Sequence, residues 1–172
     1  LGIICNSRKT IGVAGTHGKT SVSTITVHIL KTSEIGCSAF LGGISKNYGT
    51  NLLLDSTGSE WIVAEADEFD RSFLHLHPQL AVITSMDADH LDIYGSHDKV
   101  IESFHLYASQ INEGGVLLKK KGLAVGDVPN ATYRTYTYSI TEDADFCAQN
   151  IEVKDGYYQF DLKTPETTIE KL

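Results

Sequence analysis

A chain of 172 residues with 41% hydrophobic and 21% charged content has the composition of one ordinary globular core. A formal charge of −8 argues against general nucleic-acid binding, and no apolar run is long enough to span a membrane, so a cytoplasmic enzyme or binding module is expected. The three cysteines, Cys5, Cys37 and Cys147, are scattered, odd in number and without metal-site spacing, which fits buried thiols in a reducing compartment.

The start, Leu1-Gly2-Ile3-Ile4-Cys5, is soon interrupted by Asn6, Ser7, Arg8 and Lys9 and does not read as a signal peptide. Leu1 is not an initiator methionine, and the chain is expected to be a piece of a longer one. The apolar run 11–14 then reads as a strand, followed at once by Gly15-Thr16-His17-Gly18-Lys19-Thr20-Ser21. A strand, a glycine loop and a helix opening on Lys-Thr form a place for phosphate. Glycines let the backbone curl so that several N–H groups face one anion, and the helix start adds unpaired donors. Lys19 adds a full positive charge, and the Thr20 hydroxyl is a ligand for Mg²⁺. The seven residues 15–21 are therefore the candidate ATP-binding loop. The longer pattern G-x-x-x-x-G-K-[ST] would need glycine where Val13 stands, and Gly12, Gly15 and Gly18 do not follow the dinucleotide spacing. The shorter form belongs to a narrower group of ATPases. The bland alternative is a glycine turn beside a solvated lysine.

Residues 19–31 carry Val22, Ile25, Ile29 and Leu30 at helical spacing, and 40–51, rich in glycine and asparagine, reads as a loop. Further strands are expected at 61–65, 80–84 and 115–118, with an amphipathic helix over 97–111 carrying Val100, Ile101, Phe104, Ala108 and Ile111 and capped by Ser96 or Asp98. After Pro129 the texture changes. A tyrosine- and threonine-rich stretch at 132–139 precedes two segments, 146–153 and 157–162, that flank the expected hairpin turn Lys154-Asp155-Gly156. The expected fold is α/β: a P-loop-type, mostly parallel sheet flanked by helices, with a small antiparallel subsheet toward the C-terminus.

Two acidic clusters follow strands. Glu65-Ala66-Asp67-Glu68-Phe69-Asp70 holds four carboxylates in six residues. Two unit charges 4 Å apart repel by roughly 4 kcal/mol at an effective dielectric of 20, and a divalent cation relieves this. Glu65, at the strand end, is the candidate ligand; at least two of the others are read as solvated or as caps of the next turn. The second cluster is Asp87-Ala88-Asp89-His90-Leu91-Asp92, in which His90 is a candidate for a second metal or for phosphate. Three loops from three parallel strand ends fit phosphoryl transfer assisted by Mg²⁺.

Together Gly15-Thr16-His17-Gly18-Lys19-Thr20, Glu65-Ala66-Asp67-Glu68 and Asp89-His90 resemble the central ATPase domain of the Mur ligases, and the resemblance covers nearly the whole chain. The segments 65–78 and 89–94 are its most specific parts, and within the family they look like the members that join L-alanine to UDP-N-acetylmuramate. The resemblance implies an ADP-forming carboxylate–amine ligase of peptidoglycan precursor synthesis. In it Lys19 holds the β- and γ-phosphates, Thr20 and Glu65 hold a first Mg²⁺, and His90 holds a second. Lys19, Glu65 and His90 are thereby the catalytic set. Gly42 and Gly43 with Asn47 and Asn51 lie, by the same resemblance, near the muramyl substrate. Residues 1–172 would form the central ATP-binding domain, incomplete at its end, with the N-terminal UDP-binding and C-terminal ligase domains absent and no ligation by this piece alone.

Two departures from the family pattern stand out. Ser85 occupies the place where many relatives carry asparagine, and Ser103-Phe104-His105 stands where sister ligases carry a carbamylated lysine, so no carbamate is expected. Alternatives are the ligase that recycles murein tripeptide, whose link between Asp70 and Pro78 is expected to be longer, and a non-catalytic nucleotide-binding module. Folylpolyglutamate synthases are more distant, and a P-loop kinase or GTPase would want the longer phosphate loop.

Overall fold

In chain order the elements are α1 (Gly2–Cys5), β1 (Lys9–Ala14), α2 (Lys19–Thr32), β2 (Ser38–Ser45), β3 (Thr50–Leu53), β4 (Trp61–Glu65), a 3-10 turn (Ser72–His75), β5 (Leu80–Ile83), α3 (His97–Ser109), β6 (Val116–Lys120), β7 (Arg134–Ser139), β8 (Phe146–Lys154), β9 (Tyr157–Lys163) and β10 (Thr168–Ile169). The computed structural model describes residues 1–69, 71–87, 94–126, 128 and 130–172. The strands form one ten-stranded sheet in the order β10-β9-β8-β7-β6-β5-β1-β4-β2-β3. From β2 through β4, β1, β5, β6 and β7 to β8 every pairing is parallel; β3, β9 and β10 are antiparallel to their neighbours.

β1 is buried at every residue after Lys9, as a strand covered on both faces must be. Its side chains alternate between two cores. Ile11 and Val13 join Val63 and Val82 beneath α2, where Val27 is fully buried and Val22 and Leu30 pack partly. Ala14 joins Ile62, Ala64, Ala81 and Ile83 on the other face, under Phe73, Val100, Phe104 and Ala108. The buried stripe of α2 thus differs from the one expected, since Ile25 and Ile29 are both 59% exposed and Ser23 is buried instead. The stripe of α3 agrees, with Val100, Phe104, Ala108 and Ile111 buried. Its cap is Ser96, which accepts from the Lys99 N–H at 3.4 Å.

One region corrects the sequence reading, and a second refines it. The glycine-rich segment 40–51 is a bulged hairpin, β2 and β3, rather than a loop. Local propensity is weak there. Parallel pairing of β2 with β4, Ser38 opposite Ile62 through Phe40 opposite Ala64, draws the segment into the sheet. The expected antiparallel subsheet toward the C-terminus is present, formed by the pairings β8–β9 and β9–β10, but the tyrosine- and threonine-rich stretch before it joins the parallel sheet as β7 beside β6, and β8 pairs with β7 in parallel. β7 and β8 pair in parallel over only Tyr138–Phe146 and Ser139–Cys147, with no helix between them. The return is stapled by Asp145, whose carboxylate accepts from both the backbone N–H and the hydroxyl of Thr137 at 2.7 Å. Those bonds, the backbone one first, hold the Asp145 carboxyl below its ordinary range.

Tyr107 is the largest fully buried side chain, its ring 5.2 Å from that of Phe73. Its hydroxyl has no hydrogen-bond partner among the described residues, and burial pushes the phenol up. Gly12 lies directly beneath it, and a Cβ at position 12 would overlap that hydroxyl. Gly12→Ala is expected to destabilise the fold by about 1–3 kcal/mol through overpacking. Tyr107→Phe should return part of that loss in the double variant, because the clashing oxygen is gone and no bond is forfeited. Urea unfolding of the two single variants and the double variant measures both terms; a double variant no better than Gly12→Ala would refute the contact as the cause.

Candidate functional site

Because β1, β4 and β5 run parallel, their carboxyl ends open on the same edge of the sheet, and the loops after them meet there. The chain leaves β1 at Gly15 with φ 131° and enters α2 at Gly18 with φ 84°, both in the region that glycine adopts without a Cβ penalty. At Gly15 there is a second reason for glycine, since a Cβ would overlap the Thr84 hydroxyl and approach the Ser85 nitrogen to 2.8 Å. Gly18 caps α2 without a side-chain hydrogen bond, and no acidic residue lies in the first turn. The first N–H groups of α2 are thereby left to an external acceptor.

The loop after β5 holds this turn in place. Thr84 Oγ1 donates to the carbonyl of His17 at 2.5 Å and to that of Ala14 at 3.2 Å. Ser85 Oγ accepts from the His17 N–H at 2.8 Å and lies 2.9 Å from Thr16 Oγ1. The Asp87 N–H donates to Thr16 Oγ1 at 3.1 Å, and the His17 ring stands 3.6 Å from the Asp87 carboxylate. Ser85, read from the sequence as the loss of an amide contact, is a direct support of the loop.

The loop after β4 brings the carboxylates. Glu65 Oε1 accepts from the Thr20 hydroxyl at 2.8 Å, and Oε2 accepts from the Gly42 N–H at 2.6 Å. Gly42 is close enough to the carboxylate that a Cβ there would stand 2.5 Å from Oε1, whereas one at Gly43 would meet only Thr20 Cγ2 at 3.5 Å. Gly42 thus positions Glu65. Asn47 lies farther along, lining a groove with Thr20, Ser21, Thr24 and Ile44. Thr16, His17, Gly18, Lys19, Thr20, Ser21, Glu65 and Asp67 line one cleft of about 430 Å³. His90, Asp89 and Asp70 lie outside the described residues.

Lys19 has a partner that sequence reasoning passed over. Its ammonium donates to Glu68 Oε1 at 2.8 Å and to the Gly15 carbonyl at 2.9 Å, with Glu68 Oε2 also at 2.8 Å. Glu68 is 1% exposed, not solvated. Nothing in the acidic run 65–70 marks which of its carboxylates turns inward; that depends on the turn after β4.

A hydroxyl and a carboxylate in contact at the mouth of a phosphate-type loop fit Mg²⁺. That ion takes few protein oxygens and keeps waters and phosphate oxygens for the rest. Among the described residues there is no group of three or more His, Cys, Asp or Glu side chains able to hold a metal by themselves.

The chain matches the family model for the Mur ligase middle domain over residues 13–171. It is 52% identical over 172 residues to a UDP-N-acetylmuramate–L-alanine ligase of Phocaeicola vulgatus, covering 100% of this chain and 37% of that protein. A ligase of the same name from Parabacteroides distasonis is 52% identical over 169 residues, covering 98% of this chain and 36% of the relative. The chain thus spans little more than a third of these relatives. Among solved structures, the UDP-N-acetylmuramate–alanine ligase of Thermotoga maritima superposes with a TM-score of 0.78 at 18% identity, over 99% of this chain and 37% of that one. MurF ligase of Thermotoga maritima in complex with ADP superposes with a TM-score of 0.75 at 20% identity, over 95% and 40%. These last two likenesses speak to the fold.

Gly42→Ala is expected to push the Glu65 carboxylate off Thr20 and weaken binding of Mg–ADP by about tenfold, roughly 1.4 kcal/mol, while Gly43→Ala leaves it within about twofold. Calorimetric titration of the two variants checks this, and equal losses would show that Gly42 does not act through Glu65.

Proposed function

The chain belongs to the Mur ligase family, as its middle domain, and from that premise we propose that it is the ATP-binding domain of a longer, cytoplasmic ligase that joins L-alanine to UDP-N-acetylmuramate in peptidoglycan precursor synthesis. The observation that carries the ATPase reading is the contact of Thr20 with Glu65 beside Lys19, at the mouth of the glycine turn. The substrate reading rests on the names of the relatives at 52% identity.

In this reading the reaction has two steps. An oxygen of the muramyl carboxylate attacks the γ-phosphorus of ATP, the bond to the β-phosphate oxygen breaks, and ADP leaves an acyl phosphate. The amine of L-alanine then attacks the acyl carbon, phosphate departs, and the nitrogen gives up a proton. The first step brings two anions together, so the main demand on the protein is charge neutralisation and alignment. The N–H groups at the start of α2 receive the phosphates, those of Thr16 and His17 being held by Ser85, and Lys19 reaches the β- and γ-phosphates. Mg²⁺, when bound, supplies positive charge to the triphosphate, with Thr20 and Glu65 as its protein ligands and His90 as the candidate for a second ion. Gly42 orients Glu65 by its N–H, and Thr84 and Ser85 hold the turn against displacement when the ligand arrives. In this reading the UDP-binding and amine-binding parts are supplied by the rest of a longer protein, and residues 1–172 alone are expected not to ligate.

Phosphate release from Mg–ATP by the full-length protein, with UDP-N-acetylmuramate and either L-alanine or a murein tripeptide, tests the assignment. Release with L-alanine alone supports it. Release with tripeptide and free sugar would point to the recycling ligase, and none with either would favour a non-catalytic nucleotide-binding module. Lys19→Ala in the full-length protein is expected to lower turnover 100-fold or more, about 3 kcal/mol; unchanged turnover would defeat the role given to Lys19.

A further inference from the structure

Lys19 is the one lysine or arginine among the described residues lining the cleft, and its charge is already engaged. The ammonium carries three N–H donors. One goes to the Gly15 carbonyl and one to Glu68, leaving one for a ligand. The pair is withdrawn from water, with side-chain exposures of 14% for Lys19 and 1% for Glu68. The Glu68 side chain is buried, and its main chain is held where its carbonyl accepts from the Tyr94 hydroxyl at 2.5 Å and from the Arg71 N–H at 3.0 Å. Glu65 and Asp67 add two further carboxylates to the cleft wall. A metal-free polyphosphate would therefore meet helix N–H dipoles but no uncompensated positive side chain among these residues.

Resting on the nucleotide-binding reading above, we propose that Glu68 is a specificity-determining residue: by cancelling the charge of Lys19 from a buried position, it makes the cleft accept nucleotide as its divalent-metal complex and reject the metal-free form. The carboxylate stands one lysine ammonium away from where the phosphate must rest. Its repulsion acts on a free polyphosphate and is offset when the metal arrives with it. The same pairing means that Lys19→Ala strands a buried carboxylate, so that variant carries a folding defect besides its loss of phosphate contact.

The test is equilibrium binding of ADP to the full-length protein, in excess EDTA and in excess Mg²⁺. The wild-type protein is expected to bind Mg–ADP at least about tenfold more tightly than metal-free ADP. Glu68→Gln keeps the shape and an acceptor for Lys19 while removing the charge, and should tighten metal-free ADP by about tenfold with Mg–ADP changed less than about threefold. Glu68→Asp, which keeps the charge, should retain the wild-type ratio. A merely structural Glu68 would weaken both forms alike and leave the ratio unmoved. Equal wild-type affinity for the two forms overturns the proposal without any variant, as does an unchanged ratio in folded Glu68→Gln. Failure of the wild-type protein to bind Mg–ADP at all overturns the nucleotide-binding reading itself, and this inference with it.

Discussion

Parallel pairing of β1 with a neighbour on each side is the constraint on which the rest of the molecule depends. β1 places Val13 opposite Glu65 in β4 and opposite Val82 in β5, so three chain segments leave the sheet at the same level and in the same direction. The glycine turn and the Thr84–Ser85 support are the first residues after β1 and β5, and Glu65 is the last residue of β4. Their convergence needs no long reach by any side chain: Thr20 meets Glu65, and Ser85 meets His17, at ordinary hydrogen-bond distances. Since both faces of β1 are covered, the register is held by the two cores, and slipping it by one residue would turn Ile11 and Val13 away from α2.

Close approach is the second theme of the site. Gly12 makes room for the Tyr107 hydroxyl, Gly15 for Thr84, and Gly42 for the Glu65 carboxylate. In each case a polar atom of one loop or helix comes within van der Waals contact of the backbone of another. These glycines act less by flexibility than by having nothing where a Cβ would stand, although Gly15 also takes a positive φ. The bulged hairpin of β2 and β3 exists in this setting, as the element that carries the Gly42 N–H to Glu65.

An acidic protein proposed to bind a polyphosphate must arrange its charges locally. Here the arrangement is a lysine held by a buried carboxylate, with backbone N–H groups and a Thr–Glu oxygen pair beside it. Backbone dipoles at the start of α2 are fixed by the fold and cost no reorganisation when a ligand arrives. The buried pair fixes the ammonium in place at the price of its net charge, which leaves the balance of the site to whatever cation accompanies the ligand.

Much of this was legible in the residues alone. The glycine turn could be read because its backbone geometry is local: Gly15 and Gly18 take positive φ, and Lys19-Thr20 open α2. The strands 61–65 and 80–84 and the apolar face of α3 were legible because burial on both faces, or on one stripe, leaves a period in the sequence. What the tertiary structure alone decided is everything that depends on a neighbour distant in the chain. Within 40–51, β2 and β3 form around the turn 46–49 because β4 offers β2 an edge and β2 offers one to β3, against the local composition. Ile25 and Ile29 face outward because the sheet lies under the other side of α2. Among the clustered carboxylates, Glu65 turns to Thr20 from the strand end where the sequence placed it, whereas Glu68 turns inward to Lys19, a choice set by the path of the turn after β4 and invisible in a run of like residues. Local backbone chemistry is written in sequence order, whereas the pairing of a charge with its partner is a property of the folded distance between them.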